Sequence, residues 1–207
     1  MNINFTRALP VAALLYGSSL MAAPKIKVQN IQTGGTGCPA GTVTQSVSQD
    51  KQAFTLIFDE FFVELAGRRP MQRRNCQIDL TLKVPSGWQF SIATFDYRGY
   101  AYLERGVEAT QTAYYYFQGG QTSGMFETRI GGNRDFDDVY QVTDTLGIAS
   151  LVWSPCGASR NMQINTDLRL KKRSPRSNAY GYMSTDSIDG QFRTQYWFRF
   201  GTRWRRC

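Results

Sequence analysis

Four cysteines, Cys38, Cys76, Cys156 and Cys207, stand in a chain of 207 residues that contains no histidine. Thiols serve redox exchange, metal ligation or cross-linking. Redox exchange needs a Cys-x-x-Cys pair or a thiolate of lowered pKa, and the chain has no Cys-x-x-Cys. The missing histidine excludes Ser-His-Asp and Cys-His nucleophile systems, the His-Glu-x-x-His metalloprotease site and histidine-ligated zinc. It also removes the side chain most often used as a general base near neutral pH. Cross-linking is what remains, so the four cysteines are read as two structural disulfides. Sequence distance favours Cys38 with Cys76 and Cys156 with Cys207. The pairings Cys38–Cys156 with Cys76–Cys207, and Cys38–Cys207 with Cys76–Cys156, stay open on sequence alone. Cys207 closes the sequence, where a bond is expected to fasten the C-terminal segment to the body of the fold.

Other side chains offer recognition chemistry. Asp96, Tyr97, Arg98 and Tyr100 form a polar and aromatic run broken by Gly99. Such a run suits a glycan, because tyrosine rings stack on sugar faces while Asp and Arg bond hydroxyls. Tyr114, Tyr115, Tyr116 and Phe117 follow. On a strand Tyr114 and Tyr116 share one face and Tyr115 and Phe117 the other, so one pair packs inside and the other is available to a surface. Trp197, Arg199 and Trp204 give the C-terminal segment an aromatic and basic character. Asp135, Asp137 and Asp138 lack the ligand spacing of an EF-hand loop and read as an acidic surface loop. Asp59–Glu60 and Glu104–Glu108 could be offered as glycosidase acids, but such a pair must flank a bond at a defined separation, and adjacency in sequence does not show it. The expectation is a non-enzyme with no cofactor and no metal.

Charge narrows the partner class. The chain carries 24 Lys and Arg against 16 Asp and Glu, a net charge of +8, and 18 of the cations are arginine. They gather as Arg68, Arg69, Arg73 and Arg74; as Arg169, Lys171, Lys172, Arg173 and Arg176; and as Arg199, Arg203, Arg205 and Arg206. Arginine makes planar, bidentate contacts with carboxylate, sulfate and phosphate, so an anionic polymer or glycan at a cell surface is the expected partner. No nucleic-acid-binding motif is present.

The elements that must position these groups read as strands. Ile78, Leu80, Leu82 and Val84 alternate with polar residues, which means one buried and one wet face. Pro85, Ser86 and Gly87 then break the run before Trp88 to Thr94, and the two runs suggest a hairpin. Further strands are expected over residues 42–48, 54–65 with a bend near Asp59–Glu60, 97–103, 107–117, 125–130, 148–153, 164–170 and 191–200. Residues 25–37, 67–75, 131–138 and 173–178 read as loops. Short strands punctuated by Gly, Pro and Asp, with no βαβ rhythm, predict an antiparallel, jelly-roll-like β-sandwich with two disulfides.

The first 22 residues read as a secretory signal peptide. Arg7 supplies the positive start, Ala8 to Tyr16 the short apolar stretch, and Ala22 the cleavage position. No later segment is apolar enough to cross a bilayer as a helix. Residues 23–207 then form one secreted domain, extracellular or periplasmic, expected to be a monomer.

The segments GCPAGTV (37–43), NCQIDLTLKVPSGWQFSIATFDYRGYAYLERGVEAT (75–110), SLVWSPCGASRNMQINTDLRL (150–170), DSIDG (186–190) and WRRC (204–207) resemble the secreted "domain of unknown function 4360" family. The resemblance spans the chain after the signal. It implies secretion, a single domain and a four-cysteine framework, and it implies no activity, cofactor or site residue. The leading expectation is a secreted protein that binds an anionic or glycan component outside the cell. The alternatives are a structural or effector protein without a small-molecule site, and a carboxylate-dependent carbohydrate-active enzyme.

Overall fold

A computed structural model describes residues 25–91, 94–118, 123–145, 153–156, 159–191 and 203–207. The described elements are all strands: β1 (Lys27–Gly34), β2 (Val43–Val47), β3 (Ala53–Phe58), β4 (Phe62–Leu65), β5 (Met71–Lys83), β6 (Trp88–Ser91), β7 (Thr94–Leu103), β8 (Val107–Phe117), β9 (Ser123–Gly131), β10 (Phe136–Thr145), β11 (Arg160–Lys172), β12 (Gly181–Ser184), β13 (Ser187–Gln191) and β14 (Arg203–Arg206). The first sheet runs β1-β5-β11-β8-β9. In the second, β7 pairs with β10 along one edge. Along its other edge lie β12 and β13, end to end, and these pair onward to β4 and β3. β2 closes that side. Every pairing is antiparallel. The predicted antiparallel sandwich is therefore observed.

Alternation builds the core. Ile78, Leu80 and Leu82 of β5, Ile164, Leu168 and Leu170 of β11, and Ala113, Tyr115 and Phe117 of β8 face inward from the first sheet. Phe54, Leu56, Phe95, Tyr97, Ala101 and Met183 meet them from the second. β7 and β8 are joined only by residues 104–106, with Gly106 at a φ of 97°, yet they belong to opposite sheets. That tight arch brings Tyr97 and Tyr115 face to face across the core, their hydroxyls 2.5 Å apart. Phe95 stacks on Tyr115 at 4.9 Å between centroids, and Tyr97 stacks on Phe126 at 5.8 Å.

Asp144 of β10 adds a carboxyl to this pair. It is buried, one of its oxygens has no partner, and the Tyr115 hydroxyl bonds it. Burial raises its pKa to about 6, and the Tyr115 bond offsets part of the rise. The same burial pushes both tyrosine hydroxyls well up.

The disulfides are Cys38–Cys76 and Cys156–Cys207, as sequence distance favoured, with Cα separations of 5.4 and 5.9 Å. The first ties the segment after β1 to the middle of β5, where Gly37 N–H also donates to Asn75 O at 2.8 Å. The second closes around β6. One edge of β6 pairs with β14, and the other meets Trp153 and Ser154. The bond joins the chain just beyond these two flanks.

Several expectations need correction. β5 and β6 do not form a hairpin. Both edges of β5 are taken by β1 and β11, and β6 turns away to β14. Three expected loops are strand in part, over residues 27–34, 71–75 and 136–138. β1 escaped the reading because a register shift between Val28 and Asn30 buries Val28 and Ile31, three residues apart, which period two does not anticipate. The start of β5 is polar yet pairs with β11 along residues 71–75. β10 points Val139 outward, 72% exposed, and Asp144 inward, which inverts the usual polarity. The bend near Asp59–Glu60 is present, between β3 and β4. Expected strand residues 148–152 and 192–200 lie outside the described residues, as does the signal segment.

Gly99 explains itself by close approach. A Cβ there would overlap the Ser184 carbonyl oxygen and sit 2.8 Å from the Tyr140 hydroxyl. That hydroxyl donates to Ser184 O at 2.7 Å. Gly99→Ala should therefore lower unfolding free energy by about 2 kcal/mol or more in denaturant titration.

Asp144 sets a pH dependence. Its folded pKa lies above the unfolded value, so its protonated form stabilises the fold fully below about pH 4, and this is lost as pH rises through about 6. The loss is on the order of 3 kcal/mol. Asp144→Asn should flatten the stability profile between pH 4 and 7 relative to the parent protein.

Candidate functional site

The outer faces of the two sheets carry the exposed polar and aromatic residues, and they differ in one respect. On the second sheet the groups are largely engaged with one another. On the first, several have no protein partner.

The second sheet displays Asp96, Arg98, Tyr100 and Tyr102 of β7, because Phe95, Tyr97, Gly99 and Ala101 face in. Asp96 accepts from Thr143 at 2.5 Å and forms no ion pair with Arg98 among the described residues. The Tyr100 hydroxyl donates to Asp137 at 2.5 Å, which raises its pKa. Its ring meets Tyr182 at 6.3 Å, and Phe62 stacks on Tyr182 at 5.7 Å. Tyr102 pairs with Tyr180 at 6.0 Å. The rings are thus spent largely on each other.

The sequence-predicted residues therefore separate. Tyr97 is fully buried and belongs to the core contact, not to a surface. Asp96, Arg98 and Tyr100 share the outer face of the second sheet. Trp197 and Arg199 lie outside the described residues. Trp204 is half-buried and packs against Phe90 and Trp88 at 6.1 and 6.2 Å. Its neighbours Arg205 and Arg206 lie over Trp153 and Trp88, and Arg205 Nε donates to Gln89 at 2.6 Å. The acidic loop is also engaged: Asp135 accepts Arg105 N–H at 2.6 Å and Asp138 accepts Val139 N–H at 2.7 Å. Among the described residues no cluster of acidic or cysteine side chains could hold a metal ion.

The first sheet presents a different surface. Its outer face is a lawn of Gln77, Asn165, Gln163, Thr112, Thr110 and Tyr116, alternating with the core residues named above. Over β5, β11, β8 and β9 it dips into a groove of about 340 Å³ bordered by Arg73, Thr110, Thr112, Tyr114, Glu127, Asp167 and Arg169, with Met71 at one end. Cross-strand register assembles it. Asn165 lies opposite Tyr114, Asp167 opposite Thr112, and Arg169 opposite both Thr110 and Arg73. Glu127 and Met125 come from β9, opposite Thr112 and Tyr114.

At the groove's centre Arg73 Nε donates to Asp167 Oδ1 at 2.5 Å. That bond raises the Arg73 pKa, against a smaller opposing effect of burial. Thr112 approaches the other Asp167 oxygen at 3.5 Å. Arg129 Nε donates to Glu127 at 2.8 Å. Asn165 Nδ2 donates to the Tyr116 hydroxyl at 3.0 Å. Two groups remain unspent. Tyr114 is 40% exposed; among the described residues its ring pairs with no other aromatic ring and its hydroxyl makes no hydrogen bond, and it stands within electrostatic reach of Arg73. Arg169 stands directly opposite Arg73, and its guanidinium likewise makes no hydrogen bond among the described residues. A groove that offers an exposed tyrosine ring, a free fork of N–H donors, and fixed carboxylate and hydroxyl groups can hold a polyhydroxylated ligand.

Sequence reasoning divided the tyrosine run into two facing pairs, and the structure decides which is which: Tyr115 and Phe117 lie inside, Tyr114 and Tyr116 outside. Sequence reasoning missed Arg73, Asp167 and Glu127 as neighbours, because they come from strands distant in the chain.

Comparison with known proteins gives a family. The family described as "Domain of unknown function (DUF4360)" matches residues 24–207. An "Uncharacterized secreted protein" of Arthroderma benhamiae (strain ATCC MYA-4681 / CBS 112371) is 39% identical over 185 residues, covering 88% of this chain and 72% of that protein. Among solved structures, TmCBM61 in complex with β-1,4-galactotriose aligns with a TM-score of 0.31 and 11% identity, over 80% of this chain and 90% of that one. TmCBM27, a mannan-recognising carbohydrate-binding module, aligns with a TM-score of 0.27 and 8% identity, over 82% and 99%. Likenesses of this size carry no argument about what the chain binds.

The Arg73–Asp167 pair is more than half exposed on the arginine side, so it contributes little to stability. Arg73→Gln should cost no more than about 1 kcal/mol in denaturant unfolding.

Proposed function

The chain belongs to the DUF4360 family, and we propose that this secreted member binds a glycan in the groove on the outer face of its five-stranded sheet. The observation that carries this reading is Tyr114. Its ring is exposed, unstacked and unbonded beside the groove, whereas the tyrosines of the opposite sheet are paired with one another. A saccharide presents an apolar C–H face and an equatorial rim of hydroxyls. Tyr114 suits the first. Arg169, Asn165, Thr112 and the carboxylates of Asp167 and Glu127 suit the second, since together they both donate and accept hydrogen bonds.

Secretion and two disulfides agree with this role, because the oxidised framework keeps the sheet rigid outside the cell. Rigidity matters: a preformed groove spares the ligand the cost of ordering its site. In this reading the protein binds and releases its ligand without cleaving it.

Tyr114→Ala should weaken binding to the recognised polysaccharide at least tenfold in affinity electrophoresis or calorimetry. The ring is exposed, so the melting temperature should move by no more than about 2 °C. Intrinsic fluorescence should respond to that saccharide in the parent protein and not in the variant. A broad glycan panel that produces no retention and no fluorescence change would overturn the reading.

A further inference from the structure

Met71 borders the groove and begins β5. There the two inner strands of the sheet run out into segments that carry cations. β5 is preceded by residues 66–70, with Arg68 and Arg69, and β11 is followed by residues 173–178, with Arg173 and Arg176. These clusters lie about a hundred residues apart in sequence, and antiparallel pairing of β5 with β11 sets their ends side by side: Lys171 pairs with Met71 and Arg169 with Arg73.

Lys172 fastens the two segments. It is 1% exposed, and its ammonium donates to the carbonyl oxygens of Gly67 and, at 2.9 Å, of Ser177. Its own N–H donates to Pro70 O at 2.9 Å. A buried ammonium held only by carbonyls is expensive, and here it sits beneath two arginine-bearing segments. Arg173 is held at its side chain by Asn133, a neutral partner.

Almost none of this charge is neutralised within the protein. Among the described cations of this end, Arg73 alone has a carboxylate within 4 Å, that of Asp167. Among the described residues the side chains of Arg68, Arg69, Arg169, Lys171 and Arg176 have no carboxylate or hydrogen-bond partner. Glu108 lies opposite Lys171 in register and lines, with Lys171, Lys172 and Arg173, a notch of about 250 Å³ at this end. It closes on none of them as an ion pair. One uncommitted acid faces a group of cations, so the surface has a strong positive potential at the mouth of the groove.

We propose that the ligand is an acidic polysaccharide, whose carboxylate-bearing sugars run from the groove beside Tyr114 and Arg169 onto the arginines clamped by Lys172. This rests on the glycan reading of the groove and names the chemical class of its ligand. Arginine forks match carboxylates bidentately, and the spacing of cations over two segments suits a repeating anion rather than a single one. These segments extend the same two strands, β5 and β11, that border the tyrosine-bearing groove, which favours a sugar polymer over a nucleic acid.

The test compares acidic polysaccharides (polygalacturonate, alginate and hyaluronate) with their carboxyl-esterified forms, in which only the charge is removed. At least one acid form should bind about tenfold or more tightly than its ester. Its affinity should fall about tenfold between 50 and 200 mM salt, as released counterions require. The variant R68Q/R69Q/R173Q/R176Q should bring the acid-to-ester ratio towards one, and the matching all-lysine variant should keep most of the preference, which separates charge from folding. Tyr114→Ala should weaken acid and ester forms alike. Equal, salt-insensitive binding of acid and ester forms would overturn the acidic ligand and leave the glycan reading standing. Acid binding untouched by Tyr114→Ala, or matched by single-stranded nucleic acid of equal charge, would overturn sugar recognition and this proposal with it.

Discussion

Everything outward in this protein depends on one inward contact. The tight arch at residues 104–106 sends β7 and β8 into opposite sheets, and Tyr97 and Tyr115 then meet hydroxyl to hydroxyl in the core. Two hydroxyls buried this deeply must find partners, so the contact specifies how the sheets sit over each other. It also decides facing. With Tyr115 turned in, strand alternation turns Tyr114 and Tyr116 out; with Tyr97 turned in, Asp96, Arg98 and Tyr100 go to the other surface. Asp144 completes the polar centre at a cost, since one of its oxygens is unpaired.

The periphery is held by different devices at different places. Cys38–Cys76 anchors the segment after β1 to an inner strand. Cys156–Cys207 ties the two flanks of β6 together. At the arginine-rich end no disulfide acts, and a buried lysine bonds carbonyls from two segments instead. A disulfide limits the unfolded chain. An ammonium clamp leaves a charge in place, and that charge adds to the field above it. The second device therefore couples architecture to recognition in a way the first cannot.

The two outer faces show why exposed aromatic residues are not equivalent. Phe62, Tyr100, Tyr102, Tyr180 and Tyr182 lie together on the second sheet's side and meet as ring pairs, Phe62 stacked on Tyr182 and the other pairs tilted, a common source of sheet stability. Tyr114 has Asn165 and Met125 as its cross-strand neighbours, neither of them aromatic, so no other ring pairs with it. Likewise Arg205 and Arg206 are drawn onto Trp153 and Trp88, whereas Arg169 faces another arginine and finds no acceptor. Groups without internal partners are the ones left for a ligand.

Much of the architecture was legible because it rests on local periodicity. The alternation in β5, β8 and β11, the break between β3 and β4, the absence of βαβ rhythm and the even cysteine count each point to a stapled antiparallel sandwich without reference to anything distant in the chain. The division of the tyrosine run was legible for the same reason. β1 and β10 were not, because a register shift and an inward aspartate disturb the period that reveals strands. The groove and the arginine-rich end were not legible either. Arg73, Asp167, Glu127 and Tyr114 come from four strands, and Lys172 bonds Gly67 and Ser177 across antiparallel strand ends. Which side of a strand a residue takes follows from its neighbours in sequence; which residues of other strands it meets follows from register, and register is decided only when the sheets close on their core.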